Sequence, residues 1–456
     1  MAKTVTRFVC QECGTVLPKW MGQCDVCNEW NSVVEEVLEK HNSQTNVPPD
    51  FFKTIDISND SVKNLQWYRH TTSINELNRV LGGGFVEGSV VLVGGSPGIG
   101  KSTLLLQMFL KKIKEIGKYV YVSAEESINQ VSMRAKRLGL SDSSREILLA
   151  SSSNIEQIIS SIENLFGKTI VIIDSIQTIS TNLIHSPPGT ISQVRYCTQE
   201  LVNIAKKNNI IIVIVGHITK DGAIAGPKTL EHMVDCVLYF EGDRSYDYRI
   251  LRCSKNRYGP TDEIGVFSMT GVGLEEVPNP SSVFLSDQKE SMVSGVAVFA
   301  GIEGTRPILS EIQALVSHTS IPMPRRSSIG FDSNRLSMLV AVLSNRCRIN
   351  FGNKDVYLNV AGGLKIQEPA IDLAVASSII SAYLQKPLPS SSVFFGEISL
   401  SGEIRQSHLA YSRIKEAEKL GFSKIYCSKK TEISGDSKII GIGSVREIAS
   451  MVKNSD

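Results

Sequence analysis

Short apolar runs, separated by amphipathic or polar stretches, dominate the middle of the chain. Runs of four to six mostly β-branched residues lie at positions 90–93, 119–122, 169–173, 210–215 and 236–240. Near-continuous apolar runs of this length predict strands that are buried on both faces, with crossover helices between them. The pattern therefore predicts an α/β core with a mainly parallel sheet.

The same pattern predicts three folded units joined by two linkers. Residues 1–34 form a small cysteine-rich unit, and residues 35–63 are polar and proline-containing, as is typical of a linker. The α/β core is expected to occupy 64–277, followed by a second linker at 278–290. Residues 291–456 predict another α/β unit, whose clearest helix runs from about Ala370 to Leu384.

Composition excludes several classes of protein. With 456 residues, 42% hydrophobic and 21% charged, the chain is neither mainly disordered nor fibrous. A formal charge of +2 gives no bulk attraction to nucleic acid or to an anionic membrane, so any such contact needs a local patch. Apolar runs are too short to cross a bilayer, no apolar signal segment opens the chain, and nine cysteines do not suggest a disulfide framework. These features predict a cytoplasmic protein with no membrane partner.

Four cysteines at the N-terminus have the spacing of a metal site. Cys10, Cys13, Cys24 and Cys27 form C-x2-C-x10-C-x2-C. Each C-x2-C pair can present two thiolates to one ion, and four thiolates complete the closed tetrahedral shell of structural zinc. A rubredoxin-type iron centre is an alternative, because sequence alone does not choose the metal. A pair of redox-active dithiols and unrelated buried cysteines are the others.

A phosphate-binding loop follows the first strand of the predicted core. GSPGIGKS matches GxxxxGK[ST] at every fixed position, with an apolar strand before it and a helical stretch after it. The lysine would reach the β- and γ-phosphates of ATP, and the serine hydroxyl would hold Mg2+. The predicted nucleotide-binding residues are Gly95, Ser96, Pro97, Gly98, Ile99, Gly100, Lys101, Ser102 and Thr103.

Polar residues at the ends of three other strands are candidates for the same site. Asp174 ends TIVIID and is predicted to hold Mg2+ together with Ser102. Glu125, or its neighbour Glu126, could polarise the attacking water, although an acidic pair that opens the next helix is an alternative. His217 could sense the γ-phosphate or could be a core histidine.

The pentapeptide of Lys255, Asn256, Arg257, Tyr258 and Gly259 follows another strand-like run. Two cations spaced i, i+2 on extended backbone point the same way. They could stabilise charge on a γ-phosphate, often from a neighbouring subunit, or contact DNA phosphates, or form a solvated basic turn.

Together these motifs resemble the bacterial RadA (Sms) DNA-repair ATPase family. The resemblance rests on FVCQECGTVLPKWMGQCDVCNEWNS, on LNRVLGGGFVEGSVVLVGGSPGIGKST and on KNRYG, where the family usually has KNRFG. It implies a RecA-like ATPase that works as a hexameric ring on single-stranded and branched DNA and drives branch migration with the strand-exchange recombinase. KNRYG is also similar to the Lys-x-Arg of ring-shaped replicative helicases, and this similarity implies that Lys255 and Arg257 act on a neighbouring subunit's nucleotide.

The C-terminal unit resembles the proteolytic domain of Lon. Ala370 stands at the position of the nucleophilic serine, and the partner lysine falls near Ala410 or Tyr411. A Ser/Lys dyad needs both members, so this unit is expected to be proteolytically inactive. Residues 321–350 contain five arginines and one acidic residue, Asp332, and such a basic patch suits contacts with the DNA backbone. A solvated basic face is the alternative. The arginines are Arg325, Arg326, Arg335, Arg346 and Arg348.

Three other functions compete with a DNA-dependent ATPase motor. A protein kinase of the circadian-clock ATPase type shares the glycine-rich turn and the tandem glutamates, but it lacks the cysteine pairs and has a duplicated core. A protease is disfavoured by Ala370. A binding module that holds ATP only as a structural ligand is the third alternative.

Overall fold

A computed structural model describes most of the chain. It covers residues 4–10, 14–30, 32–39, 68–110, 113, 115–139, 147–165, 167–217, 229–242, 247–261, 263–285, 293–431 and 438–454. The chain divides into two compact units, Met1–Glu276 and Val277–Asp456. The second metal-site cysteine, Cys13, and most of the first predicted linker lie outside the described residues.

A three-stranded antiparallel sheet forms the N-terminal ribbon. Its strands are β1 (Thr4–Cys10), β2 (Val16–Leu17) and β3 (Val33–Glu39), in the order β2-β1-β3. The predicted boundary at residue 34 falls inside β3, because this strand pairs with β1 along its whole length, from Val33 opposite Cys10 to Glu39 opposite Thr4. The ribbon therefore extends at least to residue 39.

The rest of the first unit is a helix-covered sheet. Its elements are β4 (Arg69–His70), α1 (Asn75–Val80), β5 (Phe85–Val86), β6 (Val90–Gly95), α2 (Lys101–Leu110), β7 (Lys118–Ser123), α3 (Ile128–Arg137), β8 (Ile147–Ser151), α4 (Ile155–Glu163), β9 (Thr169–Asp174), α5 (Ile191–Asn208), β10 (Ile211–His217), α6 (Thr229–Met233), β11 (Cys236–Glu241), β12 (Tyr248–Asn256), β13 (Ile264–Thr270) and β14 (Gly273–Glu276). A 3-10 turn spans Ile176–Thr178.

Nine of the described strands form one sheet in the order β14-β13-β12-β11-β6-β10-β9-β7-β8. The strands from β11 to β8 in that order are parallel, and β12, β13 and β14 continue the sheet antiparallel. Val91 and Val93 of β6 pack in the apolar cluster with α2, whereas Val90 and Leu92 pack in the cluster with α4 and α5. Both faces of the strand are thus buried, which confirms the parallel α/β core expected from the continuous apolar runs.

The second unit is also a mixed α/β structure. Its elements are α7 (Ser281–Phe284), β15 (Val296–Glu303), β16 (Arg306–His318), β17 (Arg326–Ile329), α8 (Ser333–Cys347), β18 (Lys354–Val360), α9 (Asp372–Leu384), β19 (Ser392–Phe394), β20 (Glu397–Ile398), β21 (Ile404–Arg405), α10 (Ala410–Lys419), β22 (Lys424–Ser428), β23 (Ile439–Ile442) and α11 (Val445–Asn454). Seven of these described strands form a sheet in the order β17-β18-β16-β15-β19-β22-β23. Turns of 3-10 helix span Ala361–Gly363 and Pro369–Ile371.

Part of the predicted second linker, 278–290, is folded into this unit. Its α7 carries Phe284, which is buried and packs so closely on Gly362 that a Cβ there would lie 2.2 Å from the phenylalanine ring. Two hydrogen bonds also tie the described part of that segment to the unit: the amide of Leu309 donates to Ser281 Oγ at 3.0 Å, and Arg306 donates to the carbonyl of Pro278 at 2.7 Å. Among the described residues, no helix combines the length and apolar character of a membrane span.

Candidate nucleotide site and metal centre

The loop between β6 and α2 is shaped by glycines and closed by a lysine. Gly98 and Gly100 have φ values of +76° and +119°, and a Cβ at Gly100 would come within 2.9 Å of Met269 Cε. Such backbone suits glycine and lets amide groups face an anion. Lys101 opens α2 and donates hydrogen bonds from Nζ to the carbonyls of Gly95 (2.7 Å) and Ser96 (3.1 Å).

Lys101 is only 4% exposed, and the charges of two carboxylates offset only part of the cost of burying its ammonium. Burial lowers the pKa of the Lys101 ammonium to about 8, and the charges of Asp174 and Glu125 oppose that shift. The ammonium lies in a position where added negative charge would stabilise it. This is the electrostatic setting that a phosphate-binding lysine needs.

Hydroxyl and carboxylate oxygens of three elements meet beside the loop. Tyr121 of β7 donates from its hydroxyl to Oδ2 of Asp174, at the end of β9, and Ser102 is hydrogen-bonded to the same tyrosine. Burial, the charge of Asp174 and this hydrogen bond together raise the pKa of Tyr121, so the tyrosine stays a donor. Serine and aspartate oxygens are the ligands that Mg2+ prefers, so Ser102 and Asp174 fit the metal.

Glu125 lies at the centre of a chain of polar contacts. Ser175 donates to its Oε1, and His217 Nε2 lies 3.1 Å from the same oxygen. Lys101 Nζ lies 3.4 Å from the other ring nitrogen, Nδ1, so Nδ1 accepts and Nε2 carries the proton that is donated to Glu125. Burial raises the pKa of Glu125, but the hydrogen bonds from Ser175 and His217 and the charge of Lys101 outweigh it, and the net shift is downward.

The neighbouring Glu126 has a different environment. Its carboxylate is paired with the guanidinium of Arg134 on α3, and its amide donates to Ser123 Oγ at 2.9 Å. Glu125, and not Glu126, therefore shares contacts with Lys101 and His217. The sequence left these two residues as alternatives, and the geometry separates them.

These side chains surround one cleft of about 340 Å³. Its lining combines the phosphate loop, the ends of β7, β9 and β10, and basic residues of α3: Pro97, Gly98, Gly100, Lys101, Ser102, Thr103, Ser123, Glu125, Glu126, Arg134, Arg137, Asp174, His217 and Met269. Parallel strands bring their carboxyl ends to one edge of a sheet, and this explains why residues far apart in the chain converge here. A cleft of this size and charge can accept a polyphosphate and hold a water molecule near Glu125.

The N-terminal ribbon brings cysteine thiols together on two similar turns. Gly14 donates to the carbonyl of Cys10 and Asn28 to that of Cys24, each at 2.9 Å, and both donors have left-handed backbone with φ of +72° and +59°. The sulfur atoms of Cys10, Cys24 and Cys27 all lie within 4.8 Å of one another. A tetrahedral zinc site with Zn–S bonds of about 2.3 Å needs sulfurs about 3.8 Å apart. The thiols of Cys10 and Cys27, 3.6 Å apart, fit that requirement.

The KNRYG segment (residues 255–259) and the phosphate loop lie at opposite ends of the strands of the sheet. Asn256 pairs with Cys236 at the start of β11, whereas Phe240 at the other end of β11 pairs with Gly95. Cys236 also pairs with Val91 of β6, four residues before Gly95, so the two positions are about 13 Å apart along the strands at the usual rise per residue. Lys255 and Arg257 are therefore not part of their own chain's cleft.

Both cations of this segment contact the end of the short helix α6. Lys255 Nζ donates to the carbonyls of Glu231 (2.7 Å), Val234 (2.8 Å) and His232 (3.2 Å). Arg257 pairs with the buried Asp235 at 3.1 Å, and Asp235 also accepts from the amide of Val90. Burial and the nearby charge of Arg257 lower the pKa of Lys255.

The same segment packs on the glycine-rich turn that precedes β5. A Cβ on Gly82 would lie 3.2 Å from Gly259 Cα and 3.2 Å from Pro260 Cδ, and Asn256 donates to the carbonyl of Leu81 at 3.2 Å. Arg69 adds hydrogen bonds to the carbonyls of Leu81 and Tyr258. Gly82, in the turn that precedes the nucleotide loop in the chain, therefore packs against the KNRYG segment.

In the second unit, the region that resembles the Lon active site is closed. Ala370 is 4% exposed, and its carbonyl accepts from Gly396 at 2.7 Å. Glu368, two residues earlier in the chain, is paired with Arg413, which also donates to the carbonyls of Ala300 (2.6 Å) and His408 (3.0 Å). Burial lowers the pKa of Arg413 to about 10.

The five arginines proposed for DNA have unequal surroundings. Arg335 forms two hydrogen bonds with the buried Asp372, one of 2.7 Å, and Arg326 donates to three backbone carbonyls. Arg325, Arg346 and Arg348 are exposed. Two of the five guanidinium groups therefore have a structural partner within the unit, whereas the other three face solvent.

Sequence reasoning missed four residues in and around the nucleotide cleft. Tyr121 interrupts an aliphatic strand, and a buried tyrosine needs a hydrogen-bond partner, so this signal was available. Arg134 and Arg137 lie one turn apart on a helix, which by itself does not distinguish a cleft from a solvated face. Ser175 directly follows Asp174 but has no pattern of its own.

Models of three protein families match three separate regions of the chain. The family model described as an ATPase of KaiC type matches residues 70–146, the one for the rubredoxin metal-binding domain matches 8–35, and the one for subunit ChlI of Mg-chelatase matches 325–431. Among solved structures, the crystal structure of the RadB recombinase is similar at 24% identity and a TM-score of 0.36, with 45% of this chain and 99% of that chain covered.

The fold and the cleft define a P-loop ATPase with a RecA-like core, an N-terminal zinc ribbon and a ChlI- and Lon-like C-terminal domain. DNA repair protein RadA of Rickettsia felis is 53% identical over 96% of both chains, and RadA of Bacillus subtilis is 46% identical over 98% of both. The chain belongs to the RadA family of DNA repair proteins. The resemblance drawn from the sequence is confirmed, as are the fold class and the need for ATP, Mg2+ and Zn2+.

Proposed function

We propose that this protein is a DNA-dependent ATPase motor of recombinational repair, which moves branch points in DNA together with the strand-exchange recombinase. The observation that carries the proposal is the position of two charged groups at opposite ends of the strands of one sheet. The phosphate loop lies at one end and the cation pair Lys255 and Arg257 at the other. A chain of this kind needs a neighbour to complete its site, as expected for a ring.

Within one cleft, each side chain has a defined task. Lys101 binds the β- and γ-phosphates, and its pKa near 8 rises when they arrive. Ser102 and Asp174 hold Mg2+, which neutralises phosphate charge when bound. Glu125 accepts a hydrogen bond from the attacking water and orients it, because its lowered pKa keeps it ionised.

His217 links the base to the phosphate lysine. Its Nε2 donates to Glu125 and its Nδ1 accepts from Lys101. A γ-phosphate bound to Lys101 competes for that ammonium and changes the hydrogen bonding of the histidine. His217 is thus suited to report the presence of the γ-phosphate to Glu125.

Lys255 and Arg257 act on the nucleotide of a neighbouring subunit. Cations that reach a developing γ-phosphate charge from a neighbour give rate factors of about 10³–10⁵. A repeating contact between one edge of a chain and the opposite edge of the next is heterologous, and it closes into a ring when the rotation permits. We expect a hexamer, as the family resemblance implies.

DNA is the substrate that the family name of the relatives suggests, and the exposed arginines of the second unit support it. The C-terminal domain would act as a DNA-contacting scaffold without peptidase activity, since Ala370 has no nucleophile and Arg413 is bound to Glu368. The cytoplasm is the expected location for work on chromosomal DNA.

The first test is the steady-state rate of ATP hydrolysis with and without single-stranded DNA at low salt. We expect strong stimulation by DNA, reduced by salt. Lys101→Ala should lower the rate by about 10²–10³-fold, as loss of a transition-state donor does. Lys207→Ala is the matched control, because Lys207 is exposed on α5 and pairs with Glu163 away from the cleft.

A mixing experiment tests the shared site. Lys101→Ala and Arg257→Ala should each be inactive alone, whereas a one-to-one mixture should recover about a quarter of the wild-type rate if subunits assort at random in a head-to-tail ring. No recovery on mixing contradicts the shared site. Label transferred from ATP to protein, with no response to DNA, would favour the kinase alternative instead.

A further inference from the structure

The loop between β16 and β17 displays two large apolar side chains to solvent. Ile321 is 49% exposed and Met323 is 82% exposed. Pro322 and Pro324 alternate with them, and each proline fixes its own backbone φ. Exposed apolar side chains that are concentrated on one short segment indicate a binding surface, since they add nothing to the core of their own unit.

Hydrogen bonds hold both ends of this loop. The amide of Thr319 donates to the carbonyl of Asn353 at 3.0 Å, and the amide of Arg325 donates to Asp355 Oδ1 at 2.7 Å. Arg326 donates to the carbonyl of Phe351 at 3.0 Å. Ile321 and Met323 are therefore presented on a fixed support, so little conformational freedom is lost when they bind a partner.

Cations surround the loop, and these point to the partner. Arg325 and Arg326 end the loop, and Arg348 and Lys354 flank the turn whose carbonyls hold it. Residues 318–326 and 348–355 contain a single acidic residue, Asp355. It is buried and accepts a hydrogen bond from the amide of Arg325. An apolar tip with a positive rim is complementary to DNA, whose bases are apolar on their faces and whose backbone is anionic.

We propose that Ile321 and Met323 form a wedge that packs against base faces where DNA strands separate or branch. Arg325 and its neighbours contact the adjacent phosphates. Apolar wedges of Met, Ile and Pro are used in this way by proteins that unstack and kink duplexes. This inference rests on the proposed action on DNA and adds the element that distinguishes a branch point from a continuous duplex.

The test compares the full-length protein with its Ile321→Ala/Met323→Ala variant on two DNA probes. One is a fork with 2-aminopurine at the junction, and the other is a linear duplex with the same base composition. We expect the wild type to bind the fork more tightly and to change the 2-aminopurine fluorescence. The variant should lose about tenfold in affinity for the fork, at the lower end of the range for one base stacked on an aromatic side chain, and should keep its affinity for the duplex.

Arg325→Ala is the matched variant for a phosphate contact. It should weaken binding to both probes and reduce the slope of log affinity against log salt by about 0.9. The wedge variant should leave that slope unchanged. Because Ile321 and Met323 are exposed, their removal is expected to leave the melting temperature unaltered, and this is measured in parallel.

Three results would overturn the inference, and they differ from one another. If the wild type binds the fork and the wedge variant binds it equally well with the same fluorescence change, the wedge is wrong and the DNA-dependent motor stands. If the wild type binds neither probe, the proposed function fails as well. If the variant changes the oligomer mass measured by light scattering, the loop is an interface between subunits.

Discussion

The two units use charged side chains near the start of a helix in opposite ways. In the first unit, Lys101, Glu125 and Asp174 converge on an open cleft. In the second unit, Glu368 lies two residues before Ala370, near the start of α9, and is paired with Arg413. The presence of charged residues near a helix start is therefore no guide to chemistry. What matters is whether they leave donors and acceptors for a ligand.

The energetic difference lies in how each buried cation is satisfied. Lys101 is held by two loop carbonyls, and burial lowers its pKa to about 8. Arg413 donates four hydrogen bonds, to Glu368, Ala300 and His408. A lysine in the first setting gains from an incoming anion, whereas the arginine in the second is already neutralised by its own unit.

The largest expected effect comes from breaking the pair in the second unit. Arg413→Met leaves the Glu368 carboxylate without its cation, and loss of one partner of a buried pair costs about 3–5 kcal/mol. Partial exposure of Glu368 puts the expected loss near the lower end. All three tryptophans lie in the first unit. We would therefore follow the second unit by hydrogen exchange of α9, which should become faster.

Two variants sharpen that result. Arg413→Met with Glu368→Leu should recover much of the lost protection, because no charge is left unpaired. Lys101→Met removes the corresponding cation of the first unit and should leave stability unchanged or higher, since the folded state disfavours the charged lysine. Equal destabilisation by Lys101→Met and Arg413→Met would contradict the comparison.

The next effect is a pH dependence of nucleotide affinity. The pKa of Lys101 is near 8 in the free protein, below its usual value, and bound phosphate raises it. Binding therefore takes up a proton above pH 8, and affinity should fall by about tenfold for each pH unit beyond 8. A fluorescent ATP analogue titrated from pH 6.5 to 9.5 measures this. Lys101→Arg should flatten the profile, and a profile unaltered by that change would refute the assignment.

The smallest effect tests the metal end of the cleft. Tyr121→Phe removes the hydroxyl that donates to Asp174 and keeps the ring. Loss of one such hydrogen bond costs about 1 kcal/mol, so the Mg2+ concentration for half-saturation should rise about fivefold. Mn2+ binding followed by EPR gives a readout that does not depend on turnover.

Tyr119→Phe is the matched control for this change. Tyr119 lies on the same strand, and its hydroxyl contacts the backbone of Ile113 and not the cleft. Its removal should leave Mn2+ affinity unchanged. If both variants weaken Mn2+ binding equally, the effect comes from packing of the strand and the role given to Tyr121 is wrong.

Much of the first unit could be predicted because its determinants are local. Continuous apolar runs specify strands buried on two faces, and the loop from Gly95 to Ser102 carries its whole pattern in eight residues. The convergence of Glu125, Asp174 and His217 followed from a general property of parallel sheets. These are the parts of the molecule where neighbours in sequence decide the structure.

The rest depends on pairings that no local pattern specifies. Arg335 looked like a surface cation until the fold placed it against Asp372, 37 residues later. The polar composition of residues 35–63 predicts a linker that begins after residue 34, but pairing with β1 extends β3 to Glu39. Tyr121 needed a partner, and only the tertiary structure supplies Asp174.

The contact between Gly82 and the KNRYG segment has a consequence for exchanging parts between relatives. The two segments are joined across 175 residues by the hydrogen bond of Asn256 to Leu81, and Gly82 lies directly against Gly259. A side chain at position 82 would push on the signature segment even though it touches no ligand. A chimera that takes KNRYG from one chain must therefore take the glycine turn with it, because the two segments pack as one part.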